Sequence, residues 1–174
     1  MAAMIALHVI NAFLLGHAWD RHGIHPRAVD GIWPGIFAAP FLHVSNVHLM
    51  NNLVVLAVLG GMSALVAGSK RFLAATVFII LVGGALTWIF ARSGSHIGAS
   101  GLVFGYFGFL VGQGLFRQSL GTLVIAAAVT FFYGANIFFG IVFPKGCTSW
   151  EAHLAGALAG LAYARLEAWA SRRR

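Results

Sequence analysis

The chain has 174 residues, 60% of them hydrophobic and only 9% charged, against roughly 25% charged in a soluble domain, so water is not its main solvent. Its net charge of +7 does not point to nucleic acid, because the basic residues are not interleaved with polar surface as a groove-binding patch requires; they flank apolar runs, where Lys and Arg fix orientation in a membrane. The single cysteine, Cys147, excludes an internal disulfide and offers no cysteine-built metal site.

A hydrocarbon core about 30 Å thick takes roughly 20 apolar residues per helix. In chain order, apolar runs lie near Ala3–Trp19, His48–Val66, Phe72–Phe90, Ser100–Phe116, Leu120–Phe143 and Trp150–Trp169. The first lacks a basic leader and a small-residue cleavage site, so it reads as a retained span. No run shows the two-residue alternation of a barrel strand, and a lipid-exposed backbone must satisfy its own hydrogen bonds, so all should be helices. The expected fold is an all-α membrane protein, a six-transmembrane-helix bundle forming one domain over residues 1–174. Its first loop, Asp20 to about Val47, contains an apolar, aromatic stretch from Gly31 to Leu42 broken by Pro34 and Pro40. Two prolines oppose a continuous span, and aromatic residues prefer the headgroup level, so this loop is expected to be partly embedded in the membrane. With the N-terminus cytoplasmic, seven basic residues lie inside (Lys70, Arg71, Arg117, Arg165 and Arg172 to Arg174) against four outside (Arg21, Arg27, Arg92 and Lys145). That excess places both termini in the cytoplasm.

Ionisable and polar residues inside apolar runs are costly and are functional candidates by default. Three clusters qualify. His48 and Asn52, four residues apart, share one helix face and present two donors to a developing oxyanion; the alternative is a helix start dressed with polar caps. His43, just before them, reads as a buried structural histidine. Ser100, in Gly98-Ala-Ser-Gly101, opens the fourth run, where first-turn N–H groups favour negative charge and the flanking glycines leave room for a substrate backbone; serine is equally a common N-cap. His153 stands near the start of the last run above Gly156 and Gly160, a small-residue ridge that lets a neighbouring helix approach closely. The fourth run offers a matching ridge through Gly101, Gly105, Gly108 and Gly112. Docking the ridges brings Ser100 and His153 to similar depth, within reach of a hydroxyl-to-imidazole bond; otherwise His153 is a capping or interfacial histidine.

The four carboxylates are Asp20, Asp30, Glu151 and Glu167, and none shares a span face with His153, which argues against a Ser-His-Asp triad. Phe104, one turn beyond Ser100, can orient the imidazole by stacking instead. The fourth run, roughly 17 residues or about 25 Å long, need not reach the outer surface. Ser100 can then lie at the base of a water-filled cavity.

In this order and over three spans, the clusters closely resemble the rhomboid protease family. The resemblance runs from about Gly23 to Tyr163 and is carried by His43, His48-x-x-x-Asn52, Gly98-Ala-Ser-Gly101 and Ala152-His-x-x-Gly-x-x-x-Gly160. Gly-Ile-His-Pro-Arg27, Ala-Pro-Phe-Leu-His43 and Ser-Trp-Glu-Ala-His153 also look like bacterial members with a minimal six-span core. The resemblance implies an intramembrane serine endopeptidase of the bacterial inner membrane. It cleaves transmembrane segments of protein substrates within the lipid bilayer, without cofactor or metal. It further implies Ser100 as nucleophile, His153 as general base and acid, and His48, Asn52 and the Ser100 N–H as the oxyanion site. Phe104 would pack on the His153 ring. The sequence lacks the Trp-Arg pair that many members carry in the first loop; Trp19-Asp-Arg21 and Trp33-Pro34 are imperfect substitutes.

Three other classes are weaker. A catalytically silent rhomboid-like binder of transmembrane clients should have lost the serine or the histidine. A haem-binding electron carrier would use His43, His48, His96 and His153, but these cluster at span ends and not deep between facing helices. A transporter should show repeat halves or broken helices, and neither is visible.

Overall fold

The structure, a computed structural model, describes residues 1–29, 32–144, 146 and 148–173. Of the residues used above, Asp30, Gly31, Lys145, Cys147 and Arg174 lie outside the described ones. Six long helical segments follow the apolar runs: α1 (Ala2–Leu14), α2 (Asn46–Ala67), α3 (Ser69–Phe90), α4 (Ser100–Arg117), α5 (Leu120–Val142) and α6 (Trp150–Arg172). Among the described residues there is no β-strand; Ile24 and His96 form an isolated antiparallel bridge. The lengths and hydropathies of α2, α3 and α5 suffice for each to cross a membrane, and α1 is a shorter apolar helix.

The first helix ends five residues before the expected Trp19. It is α-helical to Val9, widens to a π-helix over Ile10–Leu14, and turns through Gly16 and His17 at φ of 53° and 64°. Asn11 is the cause. Its buried side chain accepts the Trp19 N–H at 2.9 Å and donates to Asp20 Oδ1 at 2.8 Å, folding the chain back so that Trp19 falls in a 3-10 turn over Ala18–His22.

Helix α4 is the one the others surround. Eleven of its 18 residues are buried, which explains how a glycine-rich, less apolar helix is tolerated here: protein covers it. Its closest partner is α6, and the glycine ridges are the reason. A Cβ on Gly156 would collide with the backbone carbonyl of Gly101, one on Gly160 with that of Gly105, and one on Gly108 with the Ala157 carbonyl. Small residues thus let the two backbones touch, gaining the dispersion contacts that hold helices together where hydrophobic burial gives little. By contrast, α5 buries only Thr122, Val129 and Ile137.

The first loop is braced by a Trp and an Arg that are far apart in sequence. The Arg27 guanidinium donates to the carbonyls of Ile89 (3.1 Å) and Ala91 (2.7 Å), satisfying acceptors at the C-terminal end of α3, where helical donors run out. In return, the Trp88 indole N–H donates to the Ala28 carbonyl at 2.9 Å. A helical turn at Gly35–Ala38 then seats Ile36 against Gly84 of α3, where a Cβ would lie 2.7 Å from the Ile36 methyl. At the opposite end of the bundle, Glu167 of α6 accepts from Gln113 (2.6 Å) and Arg117 (2.9 Å) and pairs with Arg71 (3.4 Å).

Candidate active site

Each of the three polar clusters had a capping role as its alternative, and at the N-termini of α2, α4 and α6 that role falls to other side chains or to none. Ser45 caps α2, accepting the His48 N–H at 3.2 Å. Ser149 caps α6, accepting the Ala152 N–H at 3.3 Å. Ser100 is the first residue of α4 and follows Ala99 at the N-cap, where no side chain caps the helix. The side chains of His48, Asn52 and Ser100 are therefore not occupied in terminating helices, whereas His153 reaches the Gly140 carbonyl in the last turn of α5.

The elbow before α4 is held from three sides. Gly98 adopts φ +122° and donates its N–H to the Ala39 carbonyl at 2.8 Å. A Cβ there would lie 2.7 Å from His48 Cε1, 2.9 Å from His48 Nε2 and 3.7 Å from Asn52 Nδ2, so glycine is required by both backbone and space. The next N–H, of Ala99, donates to His43 Nε2 at 3.3 Å. His43 is fully buried, and that burial, reinforced by the neighbouring His48, lowers its pKa from 6.5 to about 4. It is a structural acceptor in the loop ahead of α2. The Ser100 N–H, in the first helical turn, has no acceptor within its own helix.

His153 is oriented without a carboxylate. Its Nδ1 lies 3.0 Å from the Gly140 carbonyl of α5; a carbonyl only accepts, so Nδ1 carries the proton and Nε2 is left as the basic nitrogen. Phe104 stacks on the ring with centroids 3.9 Å apart and planes at 16°. Glu151 turns away to Arg92, at 3.5 Å. The stack and the carbonyl together fix the imidazole plane, the task an aspartate performs in a triad.

Ser100, His153, His48 and Asn52 line one cavity of about 1310 Å³, with Asn51, Val54 and Val55 of α2 on one wall and Tyr133, Asn136 and Ile137 of α5 on another. The expected hydroxyl-to-imidazole bond is not formed: among the described residues, Ser100 and His153 share the cavity without a hydrogen bond between them. Such bonds are commonly long before substrate arrives and tighten only in the complex. Asn52 is 7% exposed, and its amide Nδ2 has no hydrogen-bond partner among the described residues. A buried donor left unpaired costs about 1–3 kcal/mol, which a passing oxyanion would recover.

Residues 30–170 match the Rhomboid domain family. The chain belongs to the rhomboid family. It is 43% identical over 162 residues to uncharacterized proteins of Mycobacterium tuberculosis and Mycobacterium bovis, covering 88% of this chain and 66% of each relative. With an uncharacterized protein of Mycobacterium leprae it shares 38% identity over 175 residues, 95% of this chain and 68% of that protein. This rhomboid chain thus spans about two thirds of the length of these curated relatives. The singled-out residues His43, His48, Asn52, Gly98, Ser100, Gly101, Phe104, His153, Gly156 and Gly160 all fall inside the rhomboid match, whereas α1 precedes it. Two site features escaped the sequence: the Gly140 carbonyl, a backbone group with no residue-type signal, and Ser149, readable only as the cap four residues before His153.

Proposed function

We propose that this rhomboid is an intramembrane serine endopeptidase working through a Ser100–His153 dyad. The observation that carries the reading is the convergence, from three helices onto one cavity, of a serine at a helix start, an imidazole with its Nε2 unprotonated, and the unpaired amide donor of Asn52. Ser100 Oγ attacks the scissile carbonyl while His153 Nε2 takes its proton. The resulting oxyanion accepts hydrogen bonds from His48, Asn52 and the Ser100 N–H. Collapse expels the amine, which receives the proton from His153, and leaves an ester on Ser100. Cavity water then attacks that ester with His153 again as base, releasing the second product.

The substrate class follows from the surroundings. The cavity walls on α2 and α5 set apolar Val54, Val55 and Ile137 beside polar His48, Asn51, Asn52, Tyr133 and Asn136, and α5 is lightly packed, which suits a segment that arrives from lipid and presents its backbone to polar groups. All six helices are read as spans with both termini cytoplasmic, in the bacterial inner membrane. Covered by its neighbours, α4 need not meet the hydropathy of a lipid-facing helix.

The lack of a Ser100–His153 hydrogen bond favours one other reading, a rhomboid that binds transmembrane clients without cutting them. Purified protein in lipid vesicles, mixed with a model transmembrane substrate, separates the two. The protease reading expects cleavage by the wild type and none by Ser100→Ala or His153→Ala. Stable association without cleavage, alike in all three, supports the binder.

A further inference from the structure

The loop between α3 and α4 contributes a buried histidine that the proposed chemistry does not use. His96 is 6% exposed, and both of its ring nitrogens are engaged. Nε2 lies 2.9 Å from the Arg92 carbonyl; a carbonyl only accepts, so Nε2 carries a proton. Nδ1 lies 2.6 Å from Ser149 Oγ, the oxygen that caps α6 by accepting the Ala152 N–H at 3.3 Å. In the neutral ring Nδ1 accepts, so the Ser149 hydroxyl donates its proton to His96 and receives the Ala152 N–H on a lone pair. A ring protonated on both nitrogens would donate to the same oxygen, which has a second lone pair, so the two side chains stay paired in either form.

That bond joins the two stretches that lead into the dyad. Ser100 follows His96 by four residues, and His153 follows Ser149 by four, with the His153 N–H donating to the Ser149 carbonyl at 3.2 Å. The backbone of His96 is itself anchored, exchanging hydrogen bonds with Ile24 of the first loop at 3.0 and 3.1 Å. Contacts of the glycine ridges begin at Gly101, which faces Ala152 and Gly156, and leave the loop before Ser100 to other ties. A second tie runs beside the first: the Arg92 guanidinium donates to the Thr148 carbonyl at 2.6 Å and pairs with Glu151 at 3.5 Å. The Arg92 side chain is half-exposed, however, and water weakens such ion pairs. The His96 ring is buried, where a lost partner is felt in full.

We infer that the His96–Ser149 hydrogen bond is a clasp that sets the spacing of Ser100 and His153, which makes His96 a positioning residue for the dyad. It acts through Ser149. With that hydroxyl held, the cap stays on Ala152, the first turn of α6 stays wound, and the His153 backbone keeps its place relative to the elbow before Ser100. Among the described residues Ser100 and His153 share no hydrogen bond of their own, so the surrounding structure keeps their separation until substrate arrives. The catalytic consequence rests on the proposed protease reading; the clasp itself does not.

Amide hydrogen exchange of the full chain in lipid nanodiscs, read by NMR, tests the clasp without any activity. His96→Phe keeps a ring of similar size and removes both nitrogens, so the Ala152 and His153 N–H groups should exchange on the order of tenfold faster. His96→Asn, whose amide oxygen stands near the place of Nδ1 and accepts from Ser149, should keep most of the protection. Unchanged exchange in His96→Phe overturns the inference. The positioning role is read from the rate constant, and not the extent, of Ser100 labelling by a serine-directed fluorophosphonate, because protein lost to misfolding lowers only the extent. His96→Phe should slow that rate constant on the order of tenfold to a hundredfold, within what a misplacement of about 1 Å costs, and His96→Asn should restore most of it. Ser149→Ala breaks the same bond from the other side and should slow labelling at least as much; a wild-type rate constant there refutes the positioning role even where His96→Phe does not fold. A wild type that neither labels nor cleaves, with the expected exchange pattern, would sink the protease reading and leave the clasp as a tie between the α3–α4 loop and α6.

Discussion

Single side chains decide the chemistry here through which ring nitrogen holds a proton. His153 is set by the Gly140 carbonyl and His43 by the Ala99 N–H, so backbone groups and not carboxylates fix both tautomers. Asn52 carries the clearest expected loss. In the proposed mechanism its unpaired Nδ2 acts only in the transition state, so Asn52→Ala should lower kcat by roughly two to three orders of magnitude with little change in KM; steady-state kinetics on a transmembrane substrate checks this. His43 gives a pH signature. Folded His43 stays neutral down to about pH 4, whereas the unfolded chain protonates it near 6.5. The unfolded state therefore binds more protons between those values, and stability rises with pH across that window. Its contribution is complete above pH 6.5 and is lost as the pH falls towards 4. Thermal midpoints measured from pH 7 to 4.5 should fall, and His43→Gln, which keeps an acceptor for Ala99, should remove part of that fall. The candidate side chains were legible in the sequence because charged or polar groups in apolar runs are rare. Their orienting partners were not, because a backbone carbonyl looks the same in every residue.

Among the helices, the pairing of α4 with α6 matters most, since it carries Ser100 and His153 on backbones that nearly touch. Gly160→Val would force its side chain into the Gly105 carbonyl, and overpacking of this kind costs about 1–3 kcal/mol or more. The expected result is a lower thermal midpoint together with loss of the proposed cleavage, because separating the ridges separates Ser100 from His153. Gly61 of α2 is the control: a Cβ there meets nothing within 4 Å, and Gly61→Ala should raise stability by about 0.5–1 kcal/mol. The ridge pairing could be read from glycine spacing alone. The early end of α1 could not, because Asn11 looks like one polar residue in an apolar run until Trp19 and Asp20 fold back onto it. Nor could the Arg27–Trp88 brace, whose partners are 61 positions apart in sequence and meet only through backbone carbonyls, of Ala28 in the loop and of Ile89 and Ala91 at the end of α3.

Over the whole molecule, the two ends of the bundle do different work. One end gathers Arg71, Arg117 and Glu167 from three helices, beside the basic tail that the orientation argument places in the cytoplasm. The other holds the cavity, capped by the first loop. Single cysteines placed beside Arg172 and beside Ser95, in a chain carrying Cys147→Ser, should therefore react with an impermeant thiol reagent from opposite faces of sealed cells or inverted vesicles. Labelling of both from one face contradicts the topology. If Ser100 is, as proposed, a nucleophile made reactive by His153, intact-mass analysis after treatment with a serine-directed fluorophosphonate should find one adduct, on Ser100, that His153→Ala abolishes or slows by orders of magnitude; no adduct on Ser100, or equal labelling without His153, would overturn the dyad.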